Sequence, residues 1–186
     1  MVNPSNEVIP ERVDTRQHIA NVTEALLRKM PIEKINVKLI VEASKTSRTT
    51  FYRYFKDKYD VVIWIYISEV DRLIAQNENR HELWLDIFEF MYSRRKFFIS
   101  ALSYEQQNSL IKYMAERTLV DCKQAVKDSM QIQQLSRQME AAIDFFVGGC
   151  TRTWQNWVSC GMKDPPEFIL SVVMDNMPIC LQTHFH

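Results

Sequence analysis

The stretch from residue 36 to residue 58 constrains this chain more than any other. Val37, Ile40 and Val41 recur at helical spacing, and Asn36 stands where a capping side chain belongs. The polar run Ser44-Lys45-Thr46-Ser47 breaks that pattern, and Ser47 supplies the cap of a second helix over residues 48–55. At about 100° per residue, Phe51 and Phe55 fall together and must point into a core. Arg53 then falls nearly opposite them, with Thr49 beside it and Thr50 and Tyr52 on the flanks. Hydroxyls, a phenol and a guanidinium are the groups that reach phosphates and base edges in a major groove. Two short helices, a tight polar turn and this outward chemistry predict a helix-turn-helix.

The rest of the chain reads as helix. Only 3 Gly and 6 Pro occur in 186 residues, which argues against sheets with many tight turns. A first helix should start at Asp14 or Thr15, carry Ile19, Val22, Leu26, Leu27 and Met30 on one stripe, and stop before Pro31. Asp57 is a good cap for a fourth helix, with Asp60 echoing a capping box. The apolar run from Val61 to Ile67 has strand composition, but the preceding cap and the continuation through Val70, Leu73 and Ile74 favour a helix. Residues 76–82 form a polar break. Trp84, Ile87, Phe88 and Met91 follow at helical spacing, then the basic corner Ser93-Arg94-Arg95-Lys96, which reads as solvated rather than as an anion site. Further helices are expected over residues 106–130 and 135–160, the latter ending at Gly161. Asp164-Pro165-Pro166-Glu167 marks the start of the last strong helix, with Asp164 as its cap and Pro178 at its end. The fold class expected is all-α: a three-helix unit with a helix-turn-helix over residues 1–56, of which 1–13 form a flexible arm, and a larger helical domain over 57–186.

Charge and chemistry-bearing residues narrow the function. Net charge is zero, yet residues 45–58 hold five basic side chains (Lys45, Arg48, Arg53, Lys56, Lys58) against Asp57 alone. Cys122, Cys150, Cys160 and Cys180 are widely spaced, and His18, His81, His184 and His186 are scattered, so no metal site, disulfide or cofactor is expected. The polar N-terminus with Pro4 and Pro10 is unlike a signal peptide, and no apolar run approaches the roughly 18 residues of a membrane span. A cytoplasmic protein without membrane association is expected. Asp86, Glu89 and Asp144 are isolated carboxylates with no nucleophile or oxyanion loop beside them, so an enzyme is not expected.

Residues 15–60 resemble the N-terminal domain of the TetR family of transcriptional regulators. The residues that carry the resemblance are Ile35-Asn36-Val37 and the run Ser47-Arg48-Thr49-Thr50-Phe51-Tyr52-Arg53-Tyr54-Phe55-Lys56-Asp57-Lys58. The sequence departs from the family in the turn, where Lys45 stands in place of the usual Gly and Ser44 in place of Ala. Either Lys45 takes a left-handed conformation there or the turn has another shape. Residues 84–175 look more loosely like regulators of dihydroxyacetone-kinase type, through the Arg95-Lys96-Phe97-Phe98 corner, the run Phe146-Val147-Gly148-Gly149, Trp157 and Gly161.

The resemblance implies a transcription regulator, acting as a repressor, that binds double-stranded DNA at a near-palindromic operator as a homodimer. Carried over by position, it assigns phosphate and base contacts to Thr49, Thr50, Tyr52 and Arg53, and phosphate contacts to Lys58 and Asn36. Lys38, Ser47, Arg48 and Tyr54 complete the candidate DNA-binding set. Trp84, Phe88, Phe97, Phe98 and Tyr113, with Tyr104, are either core aromatics or the lining of a small-molecule effector pocket. Phe146, Gly149, Cys150, Trp154, Trp157, Ile169, Val172 and Val173 are either intramolecular core or the dimer seam. The mid-helix pair Gly148-Gly149 costs about 1 kcal/mol per Gly relative to Ala, a cost expected where another backbone comes close, and it favours the seam. The reading of another class is a helical co-regulator that works through protein–protein contacts without touching DNA.

Overall fold

A computed structural model describes residues 14–77, 79–102 and 110–182, and among them the regular structure is helical. The elements are α1 (Thr15–Leu27), a 3-10 turn (Ile32–Lys34), α2 (Val37–Ala43), α3 (Arg48–Tyr54), α4 (Lys58–Gln76), α5 (Arg80–Ser93), α6 (Arg95–Leu102), α7 (Leu110–Met130), α8 (Arg137–Ser159), α9 (Pro166–Asp175) and α10 (Ile179–Gln182). The expected N-terminal arm, Tyr104, the start of the seventh helix near residue 106, and His184 and His186 lie outside the described residues.

Local chemistry places the helix starts. Asp14, Asn36, Ser47, Asp57, Asn79 and Ser136 each accept a backbone N–H with the side chain, ending orphan donors at six N-termini. Asp60 acts one residue earlier than a capping box requires: its carboxylate accepts from Lys56 N at 2.9 Å. Asp164 does not cap α9. That N-cap is Pro165, with Pro166 in the first turn, and the Asp164 carbonyl instead accepts from the Trp157 indole at 2.8 Å. The apolar run 61–67 is helical, as its cap and spacing predict. α8 closes with Gly161 at φ 80° and with Met162 N donating to Trp157 O.

The N-terminal unit is built on α1, which packs on α2 and α4. Ile19, Leu27, Ile32, Ile35, Ile40, Phe51 and Phe55 are its buried centre. The Arg16 guanidinium lies 5.4 Å from the Phe55 ring and 5.0 Å from that of Trp64, tying α1 to the start of α4. In the larger part α7 and α8 form an antiparallel hairpin, α5 packs on α9, and α6 lies against both α8 and α1. A nest of aromatic rings fills the space between α5 and α8, with Trp84, Phe88, Tyr92, Trp154 and Trp157 in edge, tilted or stacked contact.

Candidate nucleic-acid interface

The turn between α2 and α3 is fixed from three sides. α2 ends in a tight left-handed closure, with Thr46 N donating to Val41 O at 3.0 Å and Lys45 at φ 53°. Of the two shapes open to this turn, the left-handed Lys45 is the one found. The conformation strains any residue with a Cβ by about 1–2 kcal/mol. Ser44 is buried, and its hydroxyl shares a 2.8 Å hydrogen bond with Thr46 Oγ1. From α1, His18 Nε2 donates to the Ser44 carbonyl at 2.9 Å, which requires a proton on that nitrogen. The first helix therefore holds the angle at which the second leaves.

α3 divides as its sequence predicts. Phe51 is fully buried, with its ring 5.9 Å from that of Phe55, which ends the helix in extended backbone. On the other side Arg48, Thr49, Tyr52 and Arg53 are exposed, one above the other along a single face. Tyr52 has 57% of its surface open, a large apolar exposure for a residue this close to a core. Lys45 and Lys56 are exposed at the two ends of this face, and Lys38 on α2 is exposed beside a loose 3.9 Å pair with Glu42.

Other members of the candidate set are engaged within the chain. Asn36 Oδ1 accepts from Leu39 N, and Ser47 Oγ accepts from Thr50 N and shares a 2.9 Å hydrogen bond with the Thr50 hydroxyl. Tyr54 is half-buried against the core. Lys58 departs most from expectation. Its ammonium donates to the carbonyls of Ile32 and Ile35, both at 2.7 Å. Burial lowers its pKa from the ordinary lysine value, against the opposing pull of Glu33 and Asp57. Two of its three donors close the 3-10 turn, so Lys58 is first a strut and only secondarily a free charge.

The structure corrects the expected effector lining. Phe88, Phe97 and Phe98 are 0–1% exposed and form core: Phe88 meets Trp154 of α8, Phe98 meets Tyr66, and Phe97 packs edge-on to Phe98. Tyr113 is half-buried with its ring edge-on to Tyr66. A cavity of about 70 Å³ does lie between α4, α5, α7 and α10, and of the expected residues that the structure describes only Trp84 lines it. Its apolar wall includes Val70, Leu83 and Ile87, and its polar end holds Arg80, Arg117 and Asp121. Arg117 Nε donates to both oxygens of Asp121, at 3.1 and 2.9 Å. Burial pushes the thiol of Cys122, on the same wall, up to about 12, so it stays protonated at neutral pH.

The expected seam is corrected as well. Trp154 and Trp157 are each 3% exposed and belong to the chain's own aromatic nest, and Ile169 lies on the buried face of α9. Phe146, Gly149, Cys150, Val172 and Val173 line an open groove between α8 and α9, together with Phe145, Thr153 and Asn176. Phe145 is 85% exposed and Phe168 51%. Gly148 and Gly149 are exposed, and a Cβ added to either would meet nothing within 4 Å. Among the described residues, no other segment comes within 4 Å of where either Cβ would stand.

Residues 19–63 match the family described as bacterial regulatory proteins, tetR family, and residues 78–177 match the one described as transcriptional regulator C-terminal region. No curated protein is detectably similar in sequence. Among solved structures, the dihydroxyacetone kinase operon activator DhaS aligns with TM-score 0.60 and 16% identity over 88% of this chain and 93% of its own. The fatty acid degradation regulator FadR from Bacillus halodurans aligns with TM-score 0.56 and 17% identity over 88% and 94%. E. coli NemR in its reduced form aligns with TM-score 0.50 and 16% identity over 89% and 98%. At these identities the three share the fold.

Proposed function

The chain belongs to the TetR family of DNA-binding transcription regulators, and on that premise we propose that it is a homodimeric repressor reading a near-palindromic operator under the control of a small-molecule effector. Residues 1–56 are the reading unit in this proposal, and 57–186 the dimerising and sensing one. The observation that carries the reading is the single exposed face of α3, with Arg48, Thr49, Tyr52 and Arg53 outward and Phe51 locked inward. Arg48 and Arg53 supply the guanidinium forks that bind guanine edges or phosphates, and Thr49 and Tyr52 supply hydroxyls. One such helix covers a few base pairs, so a second copy about one helical turn away (~34–36 Å) is needed for a specific site.

The groove between α8 and α9 supports the pairing. It is apolar and open, and it is flanked by exposed Phe145 and Phe168 and by two glycines over which a partner helix can pass closely. For the effector, the cavity beside Trp84 is lined by both α4 and α5, so a ligand held there would touch both. Selection from random duplexes with a salt titration tests the DNA reading. A palindromic consensus with a steep salt dependence is expected, whereas no enrichment at low salt would favour the co-regulator that leaves DNA alone. A reporter driven from the selected site decides the sign: expression should rise when the protein is removed.

A further inference from the structure

Between the N-terminal unit and the rest of the molecule lies a chain of alternating charge. Glu24, on α1, is 7% exposed, although carboxylates are seldom buried without partners. It accepts from Arg28 Nη2 at 2.5 Å on its own helix and from Arg94 Nη1 at 3.0 Å, seventy residues away. Arg94 also stands 3.8 Å from Glu69 on α4, which Arg72 engages in turn. Among the described residues, Arg94–Glu24 is the one ion pair that joins α1 to the elements after α4.

Arg94 is held rigidly. It is the C-terminal cap of α5, its N–H donates to Phe90 O, and its carbonyl accepts from Phe97 N and Phe98 N as α6 begins. Its guanidinium also lies 5.0 Å from the Phe90 ring. The corner therefore moves only if α5 or α6 moves. α5 carries Leu83, Trp84 and Ile87 on the cavity wall, about 10–17 Å along its axis from Arg94. α6 packs on α1 and also grips the turn just past its end, with Ser100 Oγ donating to Met30 O at 3.2 Å. A shift of about 1 Å at the corner would break a 3.0 Å hydrogen bond and leave a buried carboxylate short of a partner, a costly state that forces α1 to follow. α1 in turn holds the start of the recognition turn through His18.

We infer that Arg94 and Glu24 are positioning residues for DNA recognition: the pair fixes where the N-terminal unit stands on the body and passes displacement of α5 at the cavity to α1. The inference rests on the proposed DNA-binding function and adds its regulation.

The test uses the full-length dimer with Arg94→Met, Glu24→Met, the double variant and Arg94→Lys, each checked for native helicity by circular dichroism. The selected operator and derivatives with one or two base pairs added or removed between half-sites are the probes. For either Met variant, operator affinity should change about tenfold, the preference for half-site spacing should broaden, and preference within each half-site should stay. The double variant should do no more than either single one, and Arg94→Lys should restore part of the effect, since a lysine reaches Glu24 with one donor. Unchanged spacing preference, or additive effects of the two substitutions, would overturn the proposal. Hydrogen exchange of the α1 amides is the arm that does not depend on DNA. Faster exchange in Arg94→Met is expected, and wild-type rates would overturn the pair's role even if the protein bound no operator.

Discussion

The molecule leaves two faces open, and they differ in kind. On α3 the open side chains are cationic, hydroxylic and phenolic, and the apolar residues of the same helix are turned in. On α8 and α9 the open side chains include Phe145 and Phe168, and the backbone between them is bare at Gly148 and Gly149. Water solvates the first face well, and a polyanion that releases counterions gains by replacing it. It solvates the second face poorly, and only another apolar surface of matching shape relieves that. On the proposed function, the difference teaches how one short chain would serve two partners: each face lacks what its own partner supplies.

Separating the two faces by substitution tests that contrast. Phe145→Asp places a charge on the apolar face without disturbing the chain's own core. It should convert the dimer into a folded monomer by sedimentation and lower operator affinity by about 10²-fold, the loss of linked binding. A dimer of unchanged mass would move the seam elsewhere. Arg53→Ala acts on the other face alone. It should cost about 1–3 kcal/mol of base discrimination in competition binding while leaving the mass unchanged, and undiminished specificity would remove Arg53 from base readout.

Lys58→Met tests whether a cation near the first face belongs to it. The Ile35 carbonyl would lose the ammonium, and the Ile32 carbonyl would keep only the Ile35 N–H, so unfolding should become easier by about 1–2 kcal/mol. The slope of log affinity against log salt should change by less than one phosphate's worth, and a larger fall would return Lys58 to the contact set. The smallest effect belongs to Lys45→Gly. Relief of the left-handed strain, less the greater freedom of Gly in the unfolded chain, should raise stability by about 0.5–1 kcal/mol in denaturant unfolding. A destabilised variant would show that the Lys45 side chain holds the turn.

Local features of this architecture were open to reading from residues alone. Asn36, Ser47 and Asp57 announce helix starts because a cap acts over two or three residues, and Phe51 and Phe55 announce an inward face because helical geometry fixes their angle. Periodicity fails where a helix has apolar residues on two sides. In α8, Phe145 and Phe146 are neighbours in sequence and of identical type, yet one is 85% exposed and the other buried, a choice made by where α6 and α7 lie. Trp154 and Trp157 went inward because the rings of Trp84, Phe88 and Tyr92 on α5 meet them there. The pair Arg94–Glu24 and the cavity wall, drawn from four helices, depend on contacts between distant segments, and a basic run at a corner carries no sign of the carboxylate it will meet.

The open backbone at Gly148 and Gly149 has a consequence for how the protein responds to its own abundance. Two glycines inside a helix weaken it by about 2 kcal/mol against alanines, and among the described residues nothing packs where their Cβ atoms would stand. If that loss is offset across the seam, folding and association are one equilibrium. The midpoint of thermal unfolding then rises with protein concentration, and a cell holding few copies keeps a larger fraction of them unpaired, unfolded and open to proteolysis.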